Sequence, residues 1–156
     1  MSQTDNKFGE LVEIISKLRS PGGCPWDIEQ TSRSLIPFFI EEVYEVIEAI
    51  DNEDWTAVKE ELGDVMLHLI FQALIAEEQN KFNIKDSIDT ISKKLVKRHP
   101  HVFNESPKPD NVKTNWELEK HLEKERGSRL DGVPNILPSI IFSQRIQEKA
   151  SSAGLD

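Results

Sequence analysis

Apolar residues recur along this chain at helical spacing. Phe8, Leu11, Val12, Ile15 and Leu18 follow the i, i+3, i+4, i+7 rule and predict an amphipathic helix over 8–18. Ser20-Pro21-Gly22-Gly23 ends it, and Cys24-Pro25-Trp26-Asp27 reads as a loop. Pro37 suits the first turn of a helix, where its missing N–H costs nothing, and opens a second helix over 37–50. Asp51-Asn52-Glu53-Asp54 is a short polar break. A long, strongly apolar third helix runs from Trp55 to Gln79, with Trp55, Val58, Leu62 and Val65 as a core stripe. Gly63 inside it costs about 1 kcal/mol against alanine and is read as marking the close approach of another group. Ile84 to Arg98 is a fourth helix, whose Ile84, Ile88, Ile91 and Leu95 stripe asks for a core partner.

Pro100 ends that helix, and the polar, proline-rich stretch 99–112 reads as a loop. Thr114 and Glu117 form a capping box that opens a fifth helix, ending near Gly127. After a break over 132–138, Leu137 to Ala150 is the last helix. No β alternation of any length occurs, so the class is all-α, a helical bundle built on an antiparallel hairpin of the second and third helices. No internal repeat is visible.

Charge adds the chemistry. The chain of 156 residues holds 28 acidic and 19 basic side chains, a net charge of -9. Generic binding to a nucleic-acid backbone needs a basic surface, so that class is excluded. Glu41 to Asp64 alone has ten carboxylates against one cation, Lys59. Glu42 and Glu45 are three apart and share a helical face, as do Glu61 and Asp64. In an antiparallel hairpin turning at residue 53, Glu42 faces Asp64 and Glu45 faces Glu61. Four carboxylates brought together repel strongly unless a cation sits between them. Oxygen-only ligands select a hard cation, Mg²⁺ or Mn²⁺, and the Glu-x-x-His pairs of a di-iron bundle are missing. Glu41 and Glu48 fall on a separate polar strip, while His68 lies one turn beyond Asp64, either beside the site or structural.

Other features narrow the class. A lone cysteine, Cys24, excludes an internal disulfide and a multi-cysteine zinc site, and packing explains it better than nucleophilic chemistry. No apolar run approaches the roughly 18–20 residues of a membrane span, and the polar start is unlike a signal peptide. A cytoplasmic protein without membrane partners is expected. Lys93, Lys94, Lys97 and Arg98 form a dense basic cluster at a helix C-terminus, where it answers the dipole or meets an anion. No P-loop motif is present.

Glu41-Glu42-x-x-Glu45 followed by Glu61-x-x-Asp64 resembles the metal motif of the MazG-like nucleoside triphosphate pyrophosphohydrolases. Gly23-Cys24-Pro25-Trp26-Asp27, Gln30-Thr31, Glu60 to Asp64 and Arg98-His99-Pro100-His101-Val102-Phe103 extend the resemblance over most of the chain. It implies hydrolysis of a nucleoside triphosphate to monophosphate and pyrophosphate, Mg²⁺ as cofactor with Mn²⁺ as substitute, and a homodimer. By the same resemblance Glu42, Glu45, Glu61 and Asp64 are the metal ligands, Lys94 and Arg98 face the phosphates, and Trp116 and Lys120 close over the nucleotide. Glu41 or Glu45 positions or deprotonates the attacking water. Residues 1–130 would be the pyrophosphohydrolase domain, with 131–156 a helical tail leading to a second copy in two-copy members. The competing readings are a helical dimerisation module and a catalytically weak or inactive copy that binds metal and nucleotide.

Overall fold

The computed structural model describes residues 3–104, 112–123, 127–128 and 130–155. The regular secondary structure among these residues is all helical, with no strand. The chain divides into two compact units, Met1–Asp89 and Thr90–Asp156.

In the first unit α1 (Gln3–Arg19) is followed by a tight reversal. Gly22 takes a φ of +84°, which a side chain disfavours. At Gly23 a Cβ would lie 2.2 Å from the Leu18 carbonyl oxygen, so only glycine fits. The stretch expected as a loop then forms a short helix, α2 (Pro25–Glu29), started by Pro25. Five residues are too few for a hydrophobic period to register.

Next come α3 (Ile36–Asp51) and α4 (Trp55–Glu78), which pack together over most of their length. Their connection is short because two local devices reverse the chain. Glu53 adopts a left-handed φ of 54°. The Asp54 carboxylate caps α4, accepting the N–H groups of Thr56 and Ala57 at 3.0 and 3.1 Å. At the far end of the hairpin the core gathers Ile15, Leu35, Ile70, Phe71 and Ile75, flanked by Phe8, Leu11, Val12, Leu67 and Leu74.

Two expectations about α4 need correction. Trp55 is 70% exposed and not in the core, since the stripe it starts winds to the outer side of the hairpin. Gly63 has nothing within 4 Å of an added Cβ, so no close approach explains it.

The chain passes from one unit to the next within α5 (Ile84–Arg98). The apolar stripe of α5 is not enclosed as expected: Ile88, Ile91 and Leu95 are each more than 40% exposed. The proline-rich stretch begins with a short helix, α6 (Pro100–Phe103), not loop, because Pro100 occupies a first-turn position. Residues 105–111 of that stretch lie outside the described residues.

In the second unit α7 (Val112–Glu123) packs on α8 (Ser139–Ser152). The buried Lys149 ammonium and the Arg145 guanidinium each reach the Glu117 carboxylate at 3.3 Å. Thr114, the first member of the expected capping box, has its side chain outside the described ones.

Candidate metal centre

The hairpin register decides which side chains meet. Glu42 and Glu45 lie on one face of α3, and Glu61 on the facing side of α4. One carboxylate oxygen of each falls within 4.8 Å of the others. Asp64 does not join that mutual contact but acts on it through its charge, which raises the proton affinity of both Glu42 and Glu61. The Glu42 carboxyl is pushed up from 4.5 to about 7. Burial is the first cause, then a hydrogen bond with Glu45, then the charges of Asp64, Glu45 and Glu61. Glu61 is raised for the same reasons, burial first and then Glu45, Asp64 and Glu60. Without a cation, Glu42 and Glu61 therefore hold their protons more tightly than isolated carboxyls do.

His68 closes the inner end of the cluster. It is buried, its ring lies 5.8 Å from that of Phe39, and its Nε2 stands 4.0 Å from Glu42 Oε1. Burial lowers its basicity, and the nearby Asp64 charge opposes that only in part. Its Nδ1 is buried without a hydrogen-bond partner.

The donor set fits a hard divalent cation. The three converging donors are all carboxylate oxygens, drawn from two helices locked together by a short turn, and a cation would relieve their repulsion. Glu41 is exposed and stands apart from the three.

The remaining expected site residues lie in the second unit, and there the structure brings Arg98 and Trp116 together. Arg98 is 6% exposed, its guanidinium lies 4.9 Å from the centre of the Trp116 ring, and it donates through Nε and Nη2 to Glu123 Oε2. The hydrogen bond from Arg98, and then the charges of Arg98 and Lys97, hold the Glu123 carboxyl below its ordinary range against its desolvation. His99 packs on the other partner of this group, with its ring 4.9 Å from Trp116. Lys94 is half-buried, and Lys120 contributes to holding Glu117 ionised. Sequence reasoning missed Glu123, whose only signal was an acidic residue beyond the capped start of α7. It also missed Arg19, which organises the α1–α2 reversal.

Comparison with known proteins bears directly on this site. Residues 30–103, which contain all four carboxylates, match the family model of the MazG nucleotide pyrophosphohydrolase domain. Over 158 residues the chain is 47% identical to the nucleoside triphosphate pyrophosphohydrolase/pyrophosphatase MazG of Thermotoga maritima, covering 100% of this chain and 61% of that protein. It is 39% identical over 157 residues to a nucleoside triphosphate pyrophosphohydrolase of Escherichia coli K12, covering 97% of this chain and 60% of that one. A nucleoside triphosphate pyrophosphohydrolase of Mycobacterium tuberculosis is 37% identical over 157 residues, 99% of this chain and 48% of that protein. The chain thus spans about three fifths or less of these curated relatives.

Proposed function

We propose that this chain, whose residues 30–103 match the family model of the MazG nucleotide pyrophosphohydrolase domain, hydrolyses nucleoside triphosphates to the monophosphate and pyrophosphate. The observation that carries the proposal is the convergence of Glu42, Glu45 and Glu61 within 4.8 Å, with the Asp64 charge acting on Glu42 and Glu61. Those four carboxylates would hold Mg²⁺, or Mn²⁺ in its place. When bound, such a cation polarises a phosphate and lowers the pKa of a coordinated water.

The protein's own groups do the rest. Glu42 and Glu45 from α3 and Glu61 from α4 offer carboxylate oxygens that already lie within 4.8 Å of one another. Glu45 or Glu41 orients the attacking water or takes its proton. Lys94 and Arg98 meet the phosphates and Trp116 and Lys120 cover the nucleotide. For this Arg98 exchanges its Glu123 partner for phosphate oxygens. The apolar outer faces of α3 and α4 support a homodimer. A cytoplasmic location is consistent with the absence, among the described residues, of a helix long and apolar enough to cross a membrane.

The test is pyrophosphate release from a panel of nucleoside triphosphates, with Mg²⁺ and with EDTA. Release in Mg²⁺ only, lost in Glu61→Gln, is the expected result. Orthophosphate as the product, or equal release in EDTA, would overturn the proposal.

A further inference from the structure

Two aromatic side chains of the first unit are accounted for neither by the core nor by the carboxylates. Trp26, in α2, is 51% exposed, and its ring meets that of Phe38 edge-on, with centroids 5.8 Å apart and planes at 77°. Phe38 is itself 42% exposed. On α3 it precedes Glu42 by four residues, so the two share a face about one helical turn apart. The ring pair therefore lies on the same face of α3 as Glu42, about one helical turn away.

An exposed tryptophan on a five-residue helix is ordinarily loose. This one is fixed from below. Arg19, whose side chain is only 6% exposed, donates to the carbonyl oxygens of Asp27 and Gln30 at 2.5 and 3.2 Å. The same guanidinium donates to both carboxylate oxygens of Glu78 at the end of α4, at 2.8 and 2.7 Å. Gln30 Nε2 donates to the Trp26 carbonyl oxygen at 2.9 Å and its Oε1 accepts from Ser34 at 2.8 Å. The Gly22-Gly23 reversal holds the other side. Trp116 has a different environment: its ring is already flanked by the Arg98 guanidinium and by His99.

We propose that Trp26, backed by Phe38, is the platform on which the base of the nucleoside triphosphate stacks. This rests on the pyrophosphohydrolase reading and adds to it where the base sits. A flat aromatic face accepts every base, because every base has a π-face. It sets affinity and a mild purine preference through stacking area, and it takes no part in bond breaking.

The test uses full-length protein and two independent readouts. In the first, Trp26→Leu and Trp26→Phe are assayed for pyrophosphate release on a purine nucleoside triphosphate. Trp26→Leu is expected to raise KM about tenfold with kcat within about twofold, and Trp26→Phe to recover most of the loss. In the second, tryptophan emission is compared between Trp55→Phe, which keeps Trp26 and Trp116, and Trp26→Phe/Trp55→Phe, which keeps Trp116 alone, so that their difference reports Trp26 with Trp116 intact. That difference is expected to be quenched by a non-hydrolysable purine nucleoside triphosphate and unchanged by inorganic tripolyphosphate, which has no base. Unaltered KM in Trp26→Leu would overturn the proposal. So would Trp26 emission that ignores the nucleotide, and a shift on dilution in that case would mark a partner chain covering the ring. If Trp26→Leu fails to fold, the fluorescence arm decides alone. If wild-type protein releases no pyrophosphate, the pyrophosphohydrolase reading fails while the emission still reports whether a base binds there.

Discussion

Glu42 must lose its proton beside other carboxylates and partly screened from water, and its carboxyl therefore titrates near 7, not near 4.5. The consequence for stability has a definite sign. Between about 4.5 and 7 the folded, metal-free chain keeps a proton that the unfolded chain has released, so stability falls as pH rises through that window. Below it both states are protonated and the contribution is flat. Thermal melts in EDTA should show a melting temperature that drops from about pH 5 to pH 7, with a shallower slope in Glu42→Gln. A wild-type profile identical to that of the variant would show that Glu42 is not the group responsible. A cation competes with the same proton, so millimolar Mg²⁺ or Mn²⁺ should raise the melting temperature more at pH 8 than at pH 6. Arg98 gives a second residue-scale expectation. Arg98→Lys keeps the charge but loses the planar fork that now grips Glu123, and kcat/KM for a triphosphate should fall about tenfold. Wild-type kcat/KM in that variant would remove Arg98 from the phosphate site. The approach of Glu42, Glu45 and Glu61 was legible because spacing on two helices and a short turn leave one register, whereas Asp64, expected with them, stays outside the mutual contact. The Arg98–Glu123 pair was not, because it joins residues 25 apart across a stretch with no periodic signal.

Between α1 and α2 one side chain does the work of several contacts. Arg19 binds two backbone carbonyls and the Glu78 carboxylate, and it lies over the Phe71 ring at 5.7 Å. Arg19→Ala leaves two carbonyl oxygens and a core-facing surface without their partner, and should cost about 2–3 kcal/mol in a urea titration. Glu78 is half exposed, so Glu78→Gln should cost well under that, about 1 kcal/mol or less. Equal losses in the two variants would mean that the ion pair, not the carbonyl contacts, holds the reversal. Gly23→Ala should destabilise more than Gly63→Ala, since a Cβ meets backbone oxygen at the first position and open space at the second. In the sequence, Pro21-Gly22-Gly23 announced a turn, but the role of Arg19 depends on a partner 59 residues away. Local pattern also misjudged Trp55. A stripe of Trp55, Val58, Leu62 and Val65 reads as one buried face, yet Val58 is buried while Trp55 and Leu62 are exposed. A helix that is apolar on two sides does not reveal which of them faces its own chain.

That ambiguity reaches the whole molecule through the hairpin. On α3 the residues Ile36, Ile40, Val43, Tyr44 and Ile47 form one stripe, and each is between 38% and 52% exposed. On α4, Trp55, Leu62, Met66 and Leu69 form another, exposed between 42% and 70%. Both stripes run along the outside of the hairpin, on sides of the helices other than the one carrying Glu42, Glu45 and Glu61. Together they expose on the order of several hundred Å² of apolar surface, more than a monomer ordinarily leaves in contiguous form. A second copy meeting this face would bury roughly the 800 Å² per partner of a standard interface and keep the carboxylates outside it. The expected outcome is a wild-type dimer at micromolar concentration by sedimentation velocity, with a melting temperature that rises with protein concentration. Ile47→Glu and Leu69→Glu each place a carboxylate in the middle of that face, at positions already in contact with water in a single chain. Neither change should disturb the monomer's core, so each should give a folded monomer by circular dichroism and remove the concentration dependence of melting. A monomeric wild-type protein at tens of micromolar, or variants that stay dimeric, would show that the face is covered by something other than a second copy.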